Sequence, residues 1–196
     1  MMGLNGAAVF VIQVFGGLYL LLVLLRFILQ LVRADFYNPL SQVAVRATQP
    51  LLRPLRKVIP SVGGLDTASL LLAIVVQLII MALTLLLTYG ITGNPLQMLI
   101  WAVIGITALF LKVFFFAMIL MVIVSWVAPN SHNPAAELAN QLCEPMLAPL
   151  RRIIPTMGGL DLSPIVAFVL IQLISTYVVG YLAQVTLMPA VIARLI

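Results

Sequence analysis

Charge is what this chain of 196 residues has least of: charged side chains make up 8% of it against 64% hydrophobic, with five acids, ten Lys and Arg, one His and one Cys. Each scarcity closes a route. So little polar surface cannot cover a water-soluble globule of this length, and the chain is read as an integral membrane protein. A lone Cys143 excludes an intrachain disulfide, and with His132 as the only imidazole no multi-ligand metal site can be assembled. Cys143 reads as a small buried side chain or an acylation site, and His132 as a solvated loop residue or a titrating cap. The acids Asp35, Asp66, Glu137, Glu144 and Asp161 all avoid the middle of the apolar runs, and no glycine-rich phosphate loop opens a helix. The chain is therefore not expected to be an enzyme, to carry a cofactor or to bind nucleic acid.

What the chain does have is a repetition. Pro54-Leu-Arg-Lys-Val-Ile-Pro-Ser-Val-Gly-Gly-Leu-Asp66 returns 95 positions later as Pro149-Leu-Arg-Arg-Ile-Ile-Pro-Thr-Met-Gly-Gly-Leu-Asp161. Residues 38–79 align with 133–174 without a gap, 17 of 42 being identical. One fixed offset means a repeated structural unit.

Four apolar runs, near Ala8–Val32, Ala68–Tyr89, Leu96–Val127 and Pro164–Leu187, exceed the roughly 20 residues that a helix needs to cross a hydrocarbon core. Without period-two alternation they predict helices rather than barrel strands. The first run has no preceding Lys or Arg and continues through Arg26, so it is expected to stay as a span rather than be cleaved as a signal. The expected fold is all-α and membrane-integral: four transmembrane helices arranged as two tandem helix–amphipathic connector–helix repeats. Residues 1–95 hold spans near 8–32 and 68–89 with connector 33–67. Residues 96–196 hold spans near 103–127 and 164–187 with connector 128–163. The third run contains Lys112, and the offset argues for a single tilted helix with Lys112 about eight residues below the outer surface.

Orientation follows from the cations. Arg33, Arg46, Arg53, Arg56 and Lys57 fall in the first connector and Arg151 and Arg152 in the second, while the Gly90–Pro95 turn has none. The positive-inside rule places both connectors in the cytoplasm and both termini outside, with only Arg194 opposed. Like-oriented repeats predict a pseudo-twofold axis along the membrane normal.

The connectors are amphipathic. Leu40, Val43, Ala47, Leu51, Leu55 and Val58 step by three or four against Gln42, Arg46, Gln49, Arg53 and Arg56. Leu138, Leu142, Met146, Leu150 and Ile153 repeat the pattern against Glu137, Gln141, Glu144 and Arg151. Pro50 and Pro54, like Pro145 and Pro149, predict a helix to about residue 48 or 143, then a break. Arg53, Arg56, Lys57, Arg151 and Arg152 should then lie at headgroup depth, each cation drawn to anionic lipid by about 1 kcal/mol. Gly63-Gly64 and Gly158-Gly159 predict turns. Asp66 and Asp161 either cap the following helix or pair with Arg56 and Arg151, and Ser163-Pro164 reads as a further cap.

The doubled P-L-R-[KR]-[IV]-I-P-x-x-G-G-L-D phrase, with two apolar runs per copy, resembles the YggT family of bacterial inner-membrane proteins over essentially the whole chain. That resemblance implies an inner-membrane address and links to osmotic-stress tolerance with cation uptake, to envelope or division organisation, and in plastid relatives to nucleoid distribution and cofactor assembly. In the family an Arg followed by Ser-Trp often closes the first run of each unit. Here Arg26 occurs only in the first copy and Ser125-Trp126 only in the second, which implies that the copies have diverged.

Polar residues inside the runs are the remaining candidates. Gln77 and Gln172 are equivalent and are expected to face each other across the pseudo-twofold. With Thr84 and Thr88, or Ser175, Thr176 and Gly180, they either line a path for ions or bond neighbouring helices. Arg26 and Lys112 read as anchors that snorkel to opposite surfaces. Two functions follow. One is a membrane organiser or assembly factor whose paired basic connectors meet anionic headgroups and a membrane or cytoplasmic protein. The other is a potassium-uptake or osmotic-homeostasis component, which with four spans would need a homo-oligomer. The connectors differ in net charge, +3 over residues 33–66 and −1 over 128–161.

Overall fold

The computed structural model describes residues 2–127, 133–154 and 161–193, so the expectations for His132, Gly158, Gly159 and Arg194 lie outside the described residues. The described chain is helical: α1 (Met2–Leu31), α2 (Pro39–Val58), α3 (Thr67–Tyr89), α4 (Pro95–Val127), α5 (Pro134–Ile153), α6 (Ser163–Leu173), α7 (Gly180–Val185) and α8 (Ala190–Ala193). A π-helical segment, Ile174–Val179, joins α6 to α7. Four helical stretches are long and apolar enough to cross a membrane, Gly3–Leu31, Thr67–Tyr89, Pro95–Ser125 and Ser163–Val185. The 33 residues of α4 form one helix, as the repeat offset predicts.

The proline break is a misreading of the connectors. Each is a continuous 20-residue helix that contains both of its prolines. Pro50 and Pro54, one turn apart, share the exposed face, as do Pro145 and Pro149. The carbonyls they leave without a donor therefore face outward, where water or headgroups can satisfy them, instead of into the bundle. Asn38 and Asn133 start these helices by accepting from Leu40 N and Ala135 N, each at 2.9 Å, with Pro39 and Pro134 in the first turn.

The face that α2 turns to the protein lies between the apolar and basic stripes read from the sequence. Ser41, Ala44, Thr48 and Leu52 are buried, whereas Leu40, Val43, Leu51 and Val58 are exposed. Small side chains bring the helix close to the bundle, and the large apolar ones remain for lipid, as in a helix lying in the interface plane. In α5 the predicted Leu138 and Leu142 are buried beside Ala139, Cys143 and Leu147, while Ile153 is exposed.

One buried cluster runs through both repeats, from Leu24 and Ile28 of α1 to Met118 of α4 and Leu147 of α5. The connectors meet at their starts, where Asn38 Nδ2 donates to Pro134 O at 2.7 Å and Asp35 N donates to Gln141 Oε1 at 2.8 Å. The far end is closed by Trp101 Nε1 donating to Thr186 O at 3.1 Å. Within the first repeat α1 and α3 approach closely at Gly16, where an added Cβ would lie 2.7 Å from Ile80 Cγ1.

Candidate functional site

The repeated phrase builds two elbows. In the first, Asp66 caps α3, with Oδ1 accepting from Ser69 N at 3.2 Å, while Oδ2 accepts from Arg56 and from Ser69 Oγ. Asp66 is 3% exposed. Burial alone would raise its pKa, but the hydrogen bonds from Arg56 and Ser69 outweigh it and hold the carboxyl below its ordinary range. Between the partners, Val62 and Leu65 exchange backbone hydrogen bonds at 3.0 and 3.3 Å around Gly63 (φ 61°) and Gly64 (φ 83°). A two-residue turn of this kind needs positive φ at both central positions, which explains the glycine pair.

The second elbow keeps the pairing and changes its surroundings. Arg151 Nε donates to Asp161 Oδ2 at 2.8 Å and Arg151 Nη1 to Glu144 Oε2 at 2.7 Å. The Asp161 hydrogen bond is the chief cause that raises the Arg151 pKa, and the same contact, with Ser163, overcomes burial to lower that of Asp161. Asp161 Oδ1 also accepts from Ser163 N at 2.9 Å. Ser163 is therefore not the cap the sequence predicts: it lies inside α6, its hydroxyl buried, Leu162 stands at the N-cap without a side-chain bond, and Asp161 before it accepts the amide of Ser163. The other predicted connector cations, Arg53, Lys57 and Arg152, are exposed.

Arg26 overturns the snorkelling expectation. It is 4% exposed and turned onto the connector, with Nη1 donating to Val45 O and Thr48 Oγ1 at 3.0 Å and Nη2 to Gln49 Oε1 at 2.8 Å. A cation at the end of a span is thus held through both Nη atoms by neutral acceptors on α2, its buried Nε staying without a partner, and this ties α1 to the connector. The 95-residue offset carries Arg26, Thr48 and Gln49 onto Met121, Cys143 and Glu144. The second repeat fills the same place with sulfur: Cys143 is fully buried, and burial, aided by the adjacent Glu144 charge, pushes its thiol up to about 12. That thiol stays protonated and inert near neutral pH.

The two glutamines do not meet. Gln77 is buried against α4, with Nε2 2.7 Å from where a Cβ on Gly105 would sit. Gln172 is exposed, and its Nε2 donates to Thr176 Oγ1 of its own helix at 3.3 Å. Lys112 is half-buried and shares a cavity of about 260 Å³ with Phe115, Phe116, Gln172 and Ser175. A second, apolar cavity of about 400 Å³ lies beside α5 among Leu31, Phe110, Phe114, Pro145 and Met146.

Sequence reasoning missed the partners of Arg26 and the π-helical segment. Thr48 was legible as a small polar residue in step with Ala44 and Leu52. Ser175-Thr176-Tyr177-Val178-Val179, a run of weak helix formers ahead of Gly180, was the signal for the second.

The family model for CCB3/YggT matches twice, over residues 5–87 and 100–182, and the chain belongs to that family. It is 62% identical over 190 residues to an uncharacterized protein of Pseudomonas aeruginosa, covering 96% of each chain. It is 37% identical over 158 residues to YggT of Escherichia coli K12, covering 81% of each. A stretch of 79 residues is 37% identical to CCB3, a chloroplast cofactor-assembly protein of Arabidopsis thaliana, covering 39% of this chain and 45% of that one. No solved structure matches.

Proposed function

We propose that this CCB3/YggT-family membrane protein is a non-enzymatic organiser or assembly factor of the bacterial inner membrane, with both connectors cytoplasmic and both termini periplasmic. Its two elbows form one rigid platform for anionic headgroups and a partner protein. The observation that carries this reading is that each connector helix is fixed by an Arg–Asp pair to the start of the next span, and the two connectors touch each other. A platform so held presents exposed Arg46, Arg53 and Lys57 beside exposed Leu40, Val43 and Leu51, the composition of a surface that rests on a charged leaflet. The chloroplast relative is named as a cofactor-assembly protein, which supports the same class of work.

Cation permeation finds less support. Gln77 and Thr84 are packed inside the helix bundle, and Lys112 puts a positive charge beside Gln172 and Ser175. The protein reconstituted in liposomes separates the two readings. We expect no potassium flux above empty vesicles, together with anionic lipid enriched around the protein and reduced in the Arg53→Ala/Lys57→Ala double variant by about 1 kcal/mol per cation. Potassium flux abolished by Gln172→Leu, in protein that still inserts, would replace this reading with transport.

A further inference from the structure

The offset that relates the repeats exposes an exchange of bulk. Gly16-Gly17 of α1 correspond to Leu111-Lys112 of α4, and Ile80 of α3 corresponds to Ser175 of the π-helical segment. In the first repeat the large residue sits on the second span and fits against Gly16. In the second repeat the large residues stand on the first span and face a serine, the two spans do not close, and a cavity opens at that place with Lys112 in its wall. Helical segments wound in π form recur at functional sites, and this one lies beside the cavity.

Depth decides what this lysine can meet. Ser175 is about 18 Å along the helix from Ser163 and about 15 Å from Val185, so the cavity lies near the middle of the last span. Lys112 is correspondingly deep, not close to the outer surface as the repeat offset alone implied, and a lipid phosphate on either face lies beyond the reach of its arm. An intramembrane cation on this level requires a local counter-charge or a polar cage. Gln172 and Ser175 supply neutral dipoles only. All five side-chain carboxylates of the chain belong to the connectors and elbows, three of them already in ion pairs. A second copy would bring the same carboxylates to the same levels, so self-association does not place an acid beside Lys112.

We infer that the Lys112–Gln172–Ser175 cavity is a docking site for a transmembrane helix of a different protein, one that carries an Asp or Glu near its middle. The carboxylate pairs with Lys112 and accepts from Gln172 or Ser175, while Phe115 and Phe116 pack against the incoming helix. This site is separate from the elbow platform and does not depend on its role.

The test uses the full-length protein, fluorescently labelled in liposomes, and a Leu/Ala transmembrane peptide of about 24 residues with Asp, Asn or Leu at its midpoint. Energy transfer between them reads association. We expect the Asp peptide to associate about tenfold more tightly than the Leu peptide, Lys112→Met to abolish that preference, and Lys112→Asp to transfer it to a peptide with a central Lys. The Arg53→Ala/Lys57→Ala protein should keep the preference unchanged. Equal association of the Asp and Leu peptides with the native protein, or a preference that survives Lys112→Met, would overturn the assignment. So would binding of a spin-labelled fatty acid that depends on Lys112 without any preference for the Asp peptide, because the site would then belong to a free anionic lipid.

Discussion

Arg56–Asp66 and Arg151–Asp161 occupy equivalent places in the two repeats, yet the Asp66 side chain is 4% exposed and that of Asp161 33%. The same phrase, with the same ten-residue spacing, draws the same two groups together; what surrounds them comes from elsewhere in each repeat. In the first, a glycine lets α3 close on α1 and Arg26 ties the connector down. In the second, Leu111 and Lys112 keep the spans apart, Met121 and Cys143 replace the arginine clamp, and Arg151 shares its charge with Glu144. A duplicated motif thus fixes a contact, and its energetic weight depends on residues outside the motif. The first repeat closes its two spans on each other at Gly16, whereas the second keeps a cleft lined by Lys112, Gln172 and Ser175 among apolar side chains.

The largest expected effect breaks this asymmetry directly. Arg56→Ala leaves Asp66 as a buried carboxylate without its partner and should destabilise the protein by about 2–3 kcal/mol, short of a fully buried pair because Arg56 is partly wet. Arg151→Ala at the exposed elbow should cost under about 1 kcal/mol. Unfolding of the purified variants in micelles measures both, and equal losses would show that the elbows are equivalent after all. Arg26→Met, which gives the first repeat the residue of the second, should cost about 1–2 kcal/mol by the same measurement, since Val45 O and Gln49 lose a donor. Adding Thr48→Cys should recover part of that loss, the sulfur-filled arrangement being workable at Cys143.

The smallest effect is in acid. Asp66 and Asp161 both have carboxyls held below their unfolded value. Such a group stabilises the fold above about pH 4 and loses its contribution as pH falls through the lowered folded value. The midpoint of thermal unfolding should therefore be level from pH 7 to about 5 and fall below about 4, with Asp66→Asn flattening that fall more than Asp161→Asn does.

Much of the architecture was legible because it is local. A span is announced by about 20 apolar residues, the tandem plan by a fixed offset, and each elbow by an arginine and an aspartate ten residues apart, with a glycine turn between them in the first. The proline rule misled because it counts a lost hydrogen bond without asking which face loses it. Pro50 and Pro54 turn that face to the surroundings, and α2 continues through them.

The amino-acid sequence alone determined that this is a four-span, duplicated membrane protein with charged elbows on one side. Only the tertiary structure decided that Arg26 is caged on the connector, that Gln77 is packed away while Gln172 is open, and that Lys112 stands in a cleft near mid-span. The reason is the solvent: a helix apolar on every side carries no hydropathy pattern to fix its rotation about its own axis. The direction a lone polar side chain faces is set by close packing with neighbouring helices, through small residues such as Gly16 and Gly105.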